Sequence, residues 1–360
     1  MNCLSISTWP EFIRKNFSGI RKPFSAGIEI WPECNFRCVH CYAESDRQNS
    51  KIMSTEEIYS VIDILEQNSC IDLFLTGGEV LLHKDFINIY KYAKRKGLLV
   101  SVLTNGSLIS NEHIELWKTY PPELISITMY AATVDTYKKI TKNHKSLINF
   151  KKGVNLLKNN NIPFEIKCIG MTYNYNEISD IRNFISSIGK KNSILAWDIR
   201  PMNKGEKEPI NYRVSPLDAF MIEITDKIRR DFWNKLAVDP NREKFTRRQS
   251  EGYLYPCSIA DQFVFIASDG YMQGCVKERH HRYNLLKGNF DEGWDFLKKE
   301  LVDKKASSGF VCLKCDKFKY CGQCTAAFEV ENGDPEMPVQ FYCEYGTFLK
   351  KYMDNMKSRL

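Results

Sequence analysis

The sequence predicts an α/β fold, a parallel sheet with helical crossovers, followed by a small cysteine-rich part. Three observations carry this. Short apolar runs alternate with amphipathic stretches from residue 26 to 199, the rhythm of strands joined by crossover helices. Two alternating runs joined by Asp269-Gly270 then form a hairpin signal at 263-275. Finally, the cysteines are grouped at short spacings, at Cys34, Cys38 and Cys41 and again at Cys312, Cys315, Cys321 and Cys324.

The elements follow in order. AGIEIW at 26-31 alternates like a strand and runs into the first cysteine group. Ser54 and Glu57 are spaced as a capping box before IYSVIDILEQ. IDLFLT at 71-76 ends at Gly77-Gly78, and DFINIYKYAKRKG at 85-97 is an amphipathic helix with a glycine stop. LLVSVLT at 98-104 ends at Asn105-Gly106, where Gly106 suits a turn. A helix near 111-119 and the strand LISITMY at 124-130 come next. Helices over 146-159 and 176-188 then alternate with strands at 163-171 and 193-199. Polar and glycine motifs sit after several strands, at the end that carries the active site in barrel-like folds. Residues 201-213 read as a loop and 216-236 as one helix, while 239-252 is charged, exposed and poor in apolar residues. The division expected is a lead-in over 1-25, a barrel over 26-240 and a cysteine-rich domain over 241-360. The last fifty residues or so offer little room for a large core, so metal is expected to replace it.

Composition narrows the chemistry. The chain has 360 residues and 13 cysteines, too few for a disulfide scaffold and long enough to bury a core without one. Clustered thiols at these spacings point to metal ligation. Net charge is +7, from 51 basic and 44 acidic residues. That gives no strong nucleic-acid signal, although it suits an acidic peptide partner. No apolar run approaches the ~18 residues of a membrane helix. The N-terminus lacks signal-peptide order, so a cytoplasmic location is the default.

Cys34, Cys38 and Cys41 offer three thiolates directly after a strand, flanked by Trp31, Phe36 and Tyr42. A structural zinc knuckle is one reading, but zinc takes four ligands, and His40 between two cysteines would have to fold back to serve. A [4Fe-4S] cube held by three cysteines leaves one iron open to a small molecule. The spacing resembles the radical S-adenosylmethionine (SAM) superfamily. That resemblance implies a partial (β/α)6 TIM-like barrel whose open iron chelates SAM. It implies reductive cleavage of SAM to a 5′-deoxyadenosyl radical that abstracts hydrogen from a substrate. Gly77-Gly78-Glu79 matches the glycine-rich strand end that holds the SAM amino group, with Glu79 offering an acceptor to the ammonium. Thr104-Asn105-Gly106 resembles the segment after the third strand. Ser126 and Thr128 lie in a stretch resembling the fourth, where a hydroxyl meets SAM. Lys139, in the loop and helix after it, and Lys167, Asn174 and Arg200 are further polar candidates for cofactor binding. Each also has the plain reading of a solvated strand-end or turn residue.

The C-terminal third carries Cys257, Cys275, Cys312, Cys315, Cys321, Cys324 and Cys343. A zinc ribbon could use Cys312, Cys315, Cys321 and Cys324, stranding the other three. The pattern resembles SPASM, an auxiliary-cluster domain with a β-hairpin and short helices that follows many radical SAM barrels. That resemblance implies two further [4Fe-4S] clusters, three in all with the SAM-binding one. The first auxiliary cluster would use Cys257, Cys275 and Cys324, the second Cys312, Cys315, Cys321 and Cys343. Seven thiols are one short of eight, so the first cluster has an open iron or a non-cysteine ligand such as Asp261, Asp269, His280 or His281. Two residues separate Cys321 from Cys324 where the family commonly has three. Of the remaining cysteines, Cys70 and Cys168 fit the core, and Cys3 has no assigned role.

The resemblance implies an oxidoreductase acting on a ribosomally made peptide or protein, with a thioether or carbon–carbon crosslink as product. Peptide epimerisation, a sulfatase-type maturation, or chemistry on a cofactor precursor or other small molecule are the alternatives. A sulfatase-type relative usually has Asp after the cysteine of the G-x4-C unit, where this chain has Val276. A structural zinc or electron-transfer protein would leave Gly77-Gly78-Glu79 without a purpose. The partners implied are an external electron donor such as flavodoxin or ferredoxin. A separate leader-peptide-binding protein is a further one, since the lead-in is short. No residue beyond the SAM-binding cysteines is assigned a catalytic role.

Overall fold

The computed structural model describes residues 19-43, 51-189, 193-239, 247-257, 259-322 and 324-357. Cys3, Ser258 and residues 240-246 of the charged stretch lie outside them. Six parallel strands stand side by side in chain order: β1 (Ser25–Trp31), β2 (Asp72–Gly77), β3 (Leu99–Thr104), β4 (Leu124–Met129), β5 (Phe164–Ile169) and β6 (Ser193–Ala196). The crossovers carry helices α1 (Thr55–Gln67), α2 (Phe86–Arg95), α3 (Asn111–Thr119), α4 (Val134–Thr141), α5 (Ser146–Asn159) and α6 (Ile178–Ser187). This is the parallel sheet with helical crossovers expected from the rhythm of the sequence, and it matches the partial barrel that the resemblance implies.

Local chemistry sets the boundaries. Ser54 caps α1 as a capping box, its Oγ accepting from Glu57 N (3.2 Å) while Glu57 accepts from Ser54 N (2.8 Å). Gly97 ends the α2 crossover at φ +84°, a conformation open to glycine. In β5 burial alternates, so Phe164, Ile166 and Cys168 enter the outer core while Glu165, Lys167 and Ile169 share the opposite face. Cys70 and Cys168 are both buried core residues.

The expected hairpin is β7 (Phe263–Ile266) and β8 (Tyr271–Cys275), and a further strand, β9 (Glu278–Asn284), pairs antiparallel with β8. It is not a free-standing hairpin. β7 pairs parallel with β1, Ile28 opposite Ile266, so one nine-stranded sheet runs through both parts of the chain.

Two expectations change. The single helix over 216-236 is two, α7 (Pro216–Thr225) and α8 (Lys227–Val238). Asp226 between them is extended, and its carboxylate accepts from Arg229 N at 3.0 Å, capping the second helix. The C-terminal segment also has its own apolar packing. After α9 (Phe290–Leu297) and α10 (Thr325–Asn332), the long α11 (Gln340–Lys357) buries Tyr342, Tyr345, Leu349 and Met353. Trp197, just after β6, lies against Tyr345 with ring centroids 4.1 Å apart. Aromatic side chains therefore supply the core that the length of this segment seemed to deny it.

Candidate functional site

The C-terminal ends of the parallel strands open onto a cavity of about 310 Å³. Cys34, Cys38 and Cys41 line it from the loop after β1. That loop is held in place by backbone bonds to the end of α4, Arg37 N to Thr141 O (2.9 Å) and Val39 N to Ile140 O (3.0 Å). Asn35 ties it sideways, accepting from Asn105 Nδ2 and donating to Ser107 Oγ, each at 2.9 Å. Cys34 Sγ accepts from Phe36 N at 3.4 Å and from Asn105 Nδ2 at 3.7 Å, which favours a thiolate.

Gly77 and Gly78 lie under this loop. A Cβ on Gly77 would stand 2.1 Å from Trp31 O, and one on Gly78 2.4 Å from Pro32 O. Gly78 N donates to Trp31 O and Glu79 N to Glu33 O, both at 2.8 Å. The glycines thus let the end of β2 lie directly against the cysteine loop, and both line the cavity. Glu79 does not line it. Its carboxylate is buried and turned inward, accepting from Thr104 Oγ1 (2.6 Å), Asn105 N (2.7 Å) and Leu81 N (3.1 Å). Burial pushes its pKa up against these three donors. Glu79 therefore stitches β2 to β3 behind the cavity rather than presenting an acceptor within it.

Thr104, Asn105, Ser126, Thr128, Lys167 and Arg200 all reach the cavity wall. Lys167 pairs with Glu165 at 3.1 Å, and Ser126 Oγ donates to the same carboxylate at 3.0 Å. Asn174 and Lys139 are not on the wall. Asn174 is fully buried, donating to Tyr130 O (2.8 Å) and Ile169 O (2.9 Å) and accepting from Met171 N (2.8 Å). It fixes the ends of β4 and β5, and Lys139 is exposed on α4.

Sequence reasoning missed several wall residues. His40 is one, considered only as an awkward fourth ligand. It is buried against Tyr130, with burial lowering its pKa to about 4, so the ring is neutral near pH 7. Tyr130 also lines the cavity, as do Asp198 and Lys277, which pair at 2.6 Å. The last pair joins residues far apart in the chain, and neither spacing nor periodicity carries a signal for it.

Among the described residues, no three His, Cys, Asp or Glu side chains are gathered closely enough to share one metal ion. The C-terminal thiols nevertheless fall into two groups within electrostatic reach of one another. Cys257 and Cys275 each feel Cys324, and Cys275 feels Cys257. Cys312 feels Cys321, Cys343 and Cys315. Ligands of a four-iron cube sit on different irons, so they stand farther apart than ligands on a single ion. Burial pushes the Cys275 and Cys312 thiols up to about 12, so without a positive partner both are neutral near pH 7.

Residues 28–185, which run from within β1 into α6 and include the three cavity cysteines, match the radical SAM superfamily. The chain carries a radical SAM superfamily domain. It is 29% identical over 176 residues to AlbA of Bacillus subtilis, an antilisterial bacteriocin subtilosin biosynthesis protein, covering 49% of this chain and 39% of that one. The match thus spans well under half of that relative. A probable GTP 3′,8-cyclase of Methanocaldococcus jannaschii is 28% identical over 261 residues, covering 66% of this chain and 85% of its own. Among solved structures, SuiB of Streptococcus suis bound to the precursor peptide SuiA superposes with a TM-score of 0.70 at 15% identity. That superposition covers 90% of this chain and 76% of SuiB, a likeness of fold. The architecture is therefore a partial radical SAM barrel with a cysteine-rich C-terminal region of the SPASM kind. The radical SAM domain binds SAM, and its chemistry is SAM-dependent radical chemistry on a substrate. No helix among the described residues is long and apolar enough to cross a membrane.

Proposed function

We propose that this chain oxidatively modifies a ribosomally made peptide, introducing a thioether or carbon–carbon crosslink. The observation that carries the reading is one cavity lined by three loop thiols and by polar residues from successive strand ends. The donor set fits the group. Three thiols reach the cavity, so a cube held there keeps one iron open. Cys34, Cys38 and Cys41 would hold the SAM-binding cluster. Gly77 and Gly78, with Thr104, Asn105, Ser126, Thr128 and Lys167, would hold SAM. When bound and reduced, the cluster supplies the electron that cleaves SAM to a 5′-deoxyadenosyl radical.

The chain's own residues do the rest. Asn105 and Phe36 N hold the Cys34 thiolate by hydrogen bonds. Glu79 and Asn174 hold the strand ends in register from behind. His40 and Tyr130 give the cavity a wall of buried rings that excludes water. Cys257, Cys275 and Cys324 would hold one auxiliary cluster and Cys312, Cys315, Cys321 and Cys343 the other, and either would supply an acceptor for the electron that a substrate radical gives up, with a proton, to complete the loss of two hydrogens. A flavodoxin- or ferredoxin-like donor would supply the reducing electron, and a separate leader-binding protein would deliver the peptide. A cytoplasmic, reducing location suits three such clusters.

A second reading, a small-molecule substrate, is favoured by the match to most of the length of the GTP 3′,8-cyclase. One experiment separates them. The reduced, reconstituted protein is incubated anaerobically with SAM and candidate peptides in D2O, and product mass is read. Loss of two hydrogens supports crosslinking. A gain of one mass unit indicates epimerisation. No change in any peptide, with SAM still cleaved, overturns the peptide reading.

A further inference from the structure

Arg200 is the one buried cation on the cavity wall whose own hydrogen-bonding capacity is unmet among the described residues. It is 4% exposed, and its Nη1 is buried with no partner. Its guanidinium lies 4.0 Å from the centre of the Tyr42 ring, so its plane is held by stacking. The backbone beside it is fixed as well, because Arg213 Nε donates to Ile199 O at 2.6 Å. An immobilised, desolvated guanidinium with an empty donor is costly unless an anion completes it.

The neighbourhood says which anion. Lys277, on the turn between β8 and β9, also lines the cavity, and its charge and that of Arg200 act on each other. Asp198 pairs with Lys277 at 2.6 Å. Asp198 therefore offsets Lys277, and the charge of Arg200 stays in excess beside the pair. That balance suits one carboxylate and is too little for a polyphosphate. Lys277 also lies within electrostatic reach of Cys324. This wall thus stands between the cavity of the first three cysteines and the group formed by Cys257, Cys275 and Cys324.

We propose that Arg200, with Lys277 beside it, seats a carboxylate of the substrate, and that the modified residue therefore lies next to an acidic side chain in a peptide. The proposal rests on the peptide-modifying reading above. It places Arg200 on the substrate rather than on SAM, whose polar groups have the β3 to β5 strand ends.

The test is equilibrium dialysis of the reconstituted, SAM-loaded protein under anaerobic conditions. The probes are acetyl-Gly-Asp-Gly-amide, its Asn counterpart and glutarate. The Asp peptide is expected to bind about tenfold or more tighter than the Asn peptide, as a charge-assisted bidentate contact predicts. In Arg200→Gln the preference collapses to about twofold while SAM affinity changes less, and Arg200→Lys restores part of it. Equal binding of the Asp and Asn peptides with no glutarate binding overturns the proposal. So does an Arg200→Gln protein that loses SAM binding but keeps the Asp preference. Glutarate binding that depends on Arg200, with no binding of either peptide, upholds the carboxylate seat and overturns the peptide reading instead. Should Arg200→Gln fail to fold, Lys277→Gln decides: an unchanged Asp preference there overturns the pair.

Discussion

At Gly78 a methyl group would stand 2.4 Å from the Pro32 carbonyl oxygen and 2.5 Å from that of Glu33. Both contacts are with backbone, which cannot swing aside as a side chain can. Gly78→Ala should therefore push the cysteine loop off β2, costing about 2 kcal/mol or more. Anaerobic reconstitution should then give less iron per chain than the parent protein takes up under the same conditions. Glu79 makes the complementary case. Its carboxylate satisfies one hydroxyl and two backbone N–H groups. Glu79→Ala strands these donors in a buried place and should cost about 3 kcal/mol, read from chemical denaturation. Sequence spacing located this Gly-Gly-Glu motif, but not which way its acid points. The motif spells residue types, while the direction of Glu79 is decided by donors on the next strand.

At the scale of elements, α3 carries a titratable cap. Ser110 and His113 form a capping box, with Ser110 N donating to His113 Nδ1 at 3.2 Å. Burial holds this imidazole below its ordinary value of 6.5, against a smaller opposing pull from Glu112. The folded protein therefore prefers it neutral. Its contribution to stability is full above the ordinary value and is lost as pH falls through the lowered folded value, because the unfolded chain takes the proton first. His113→Gln keeps a residue suited to this cap position and removes the proton site. Denaturation at pH 7 and pH 5 should show a smaller loss on acidification in the variant than in the parent. The existence of α3 was legible from its apolar spacing. The break at Asp226 was less so, because the apolar pattern runs across it and a single cap residue decides. Strand existence was legible throughout for a related reason: each barrel strand is an apolar run bounded by turn residues. The pairing of β1 with β7 was not, since parallel pairing leaves no local mark on either strand.

At the scale of the whole molecule, the C-terminal region is fastened to the barrel by buried chemistry. Arg213 grips Glu331 with two nitrogens, at 3.0 and 2.6 Å, and its guanidinium lies over Phe341. Both partners are largely buried, so removing one leaves the other an unpaired charge. Arg213→Ala should cost about 3–5 kcal/mol. Thermal melting and limited proteolysis should show α10 and α11 released first. The sequence pointed to metal as the glue of this region because it counted cysteines. The rings of Trp197, Phe328, Tyr342 and Tyr345 pack there as well.

The parallel pairing of β1 with β7 also bears on how the chain reaches this structure. The strand that leads into the first three cysteines has β2 on one side, made soon after it, and β7 on the other, made only after residue 262. During synthesis β1 must wait as an edge strand, with Ala26, Ile28 and Ile30 not yet covered, while more than half of the polypeptide emerges. Contacts of such long sequence separation form slowly. A chain stopped before β7 should therefore self-associate rather than yield a smaller working barrel.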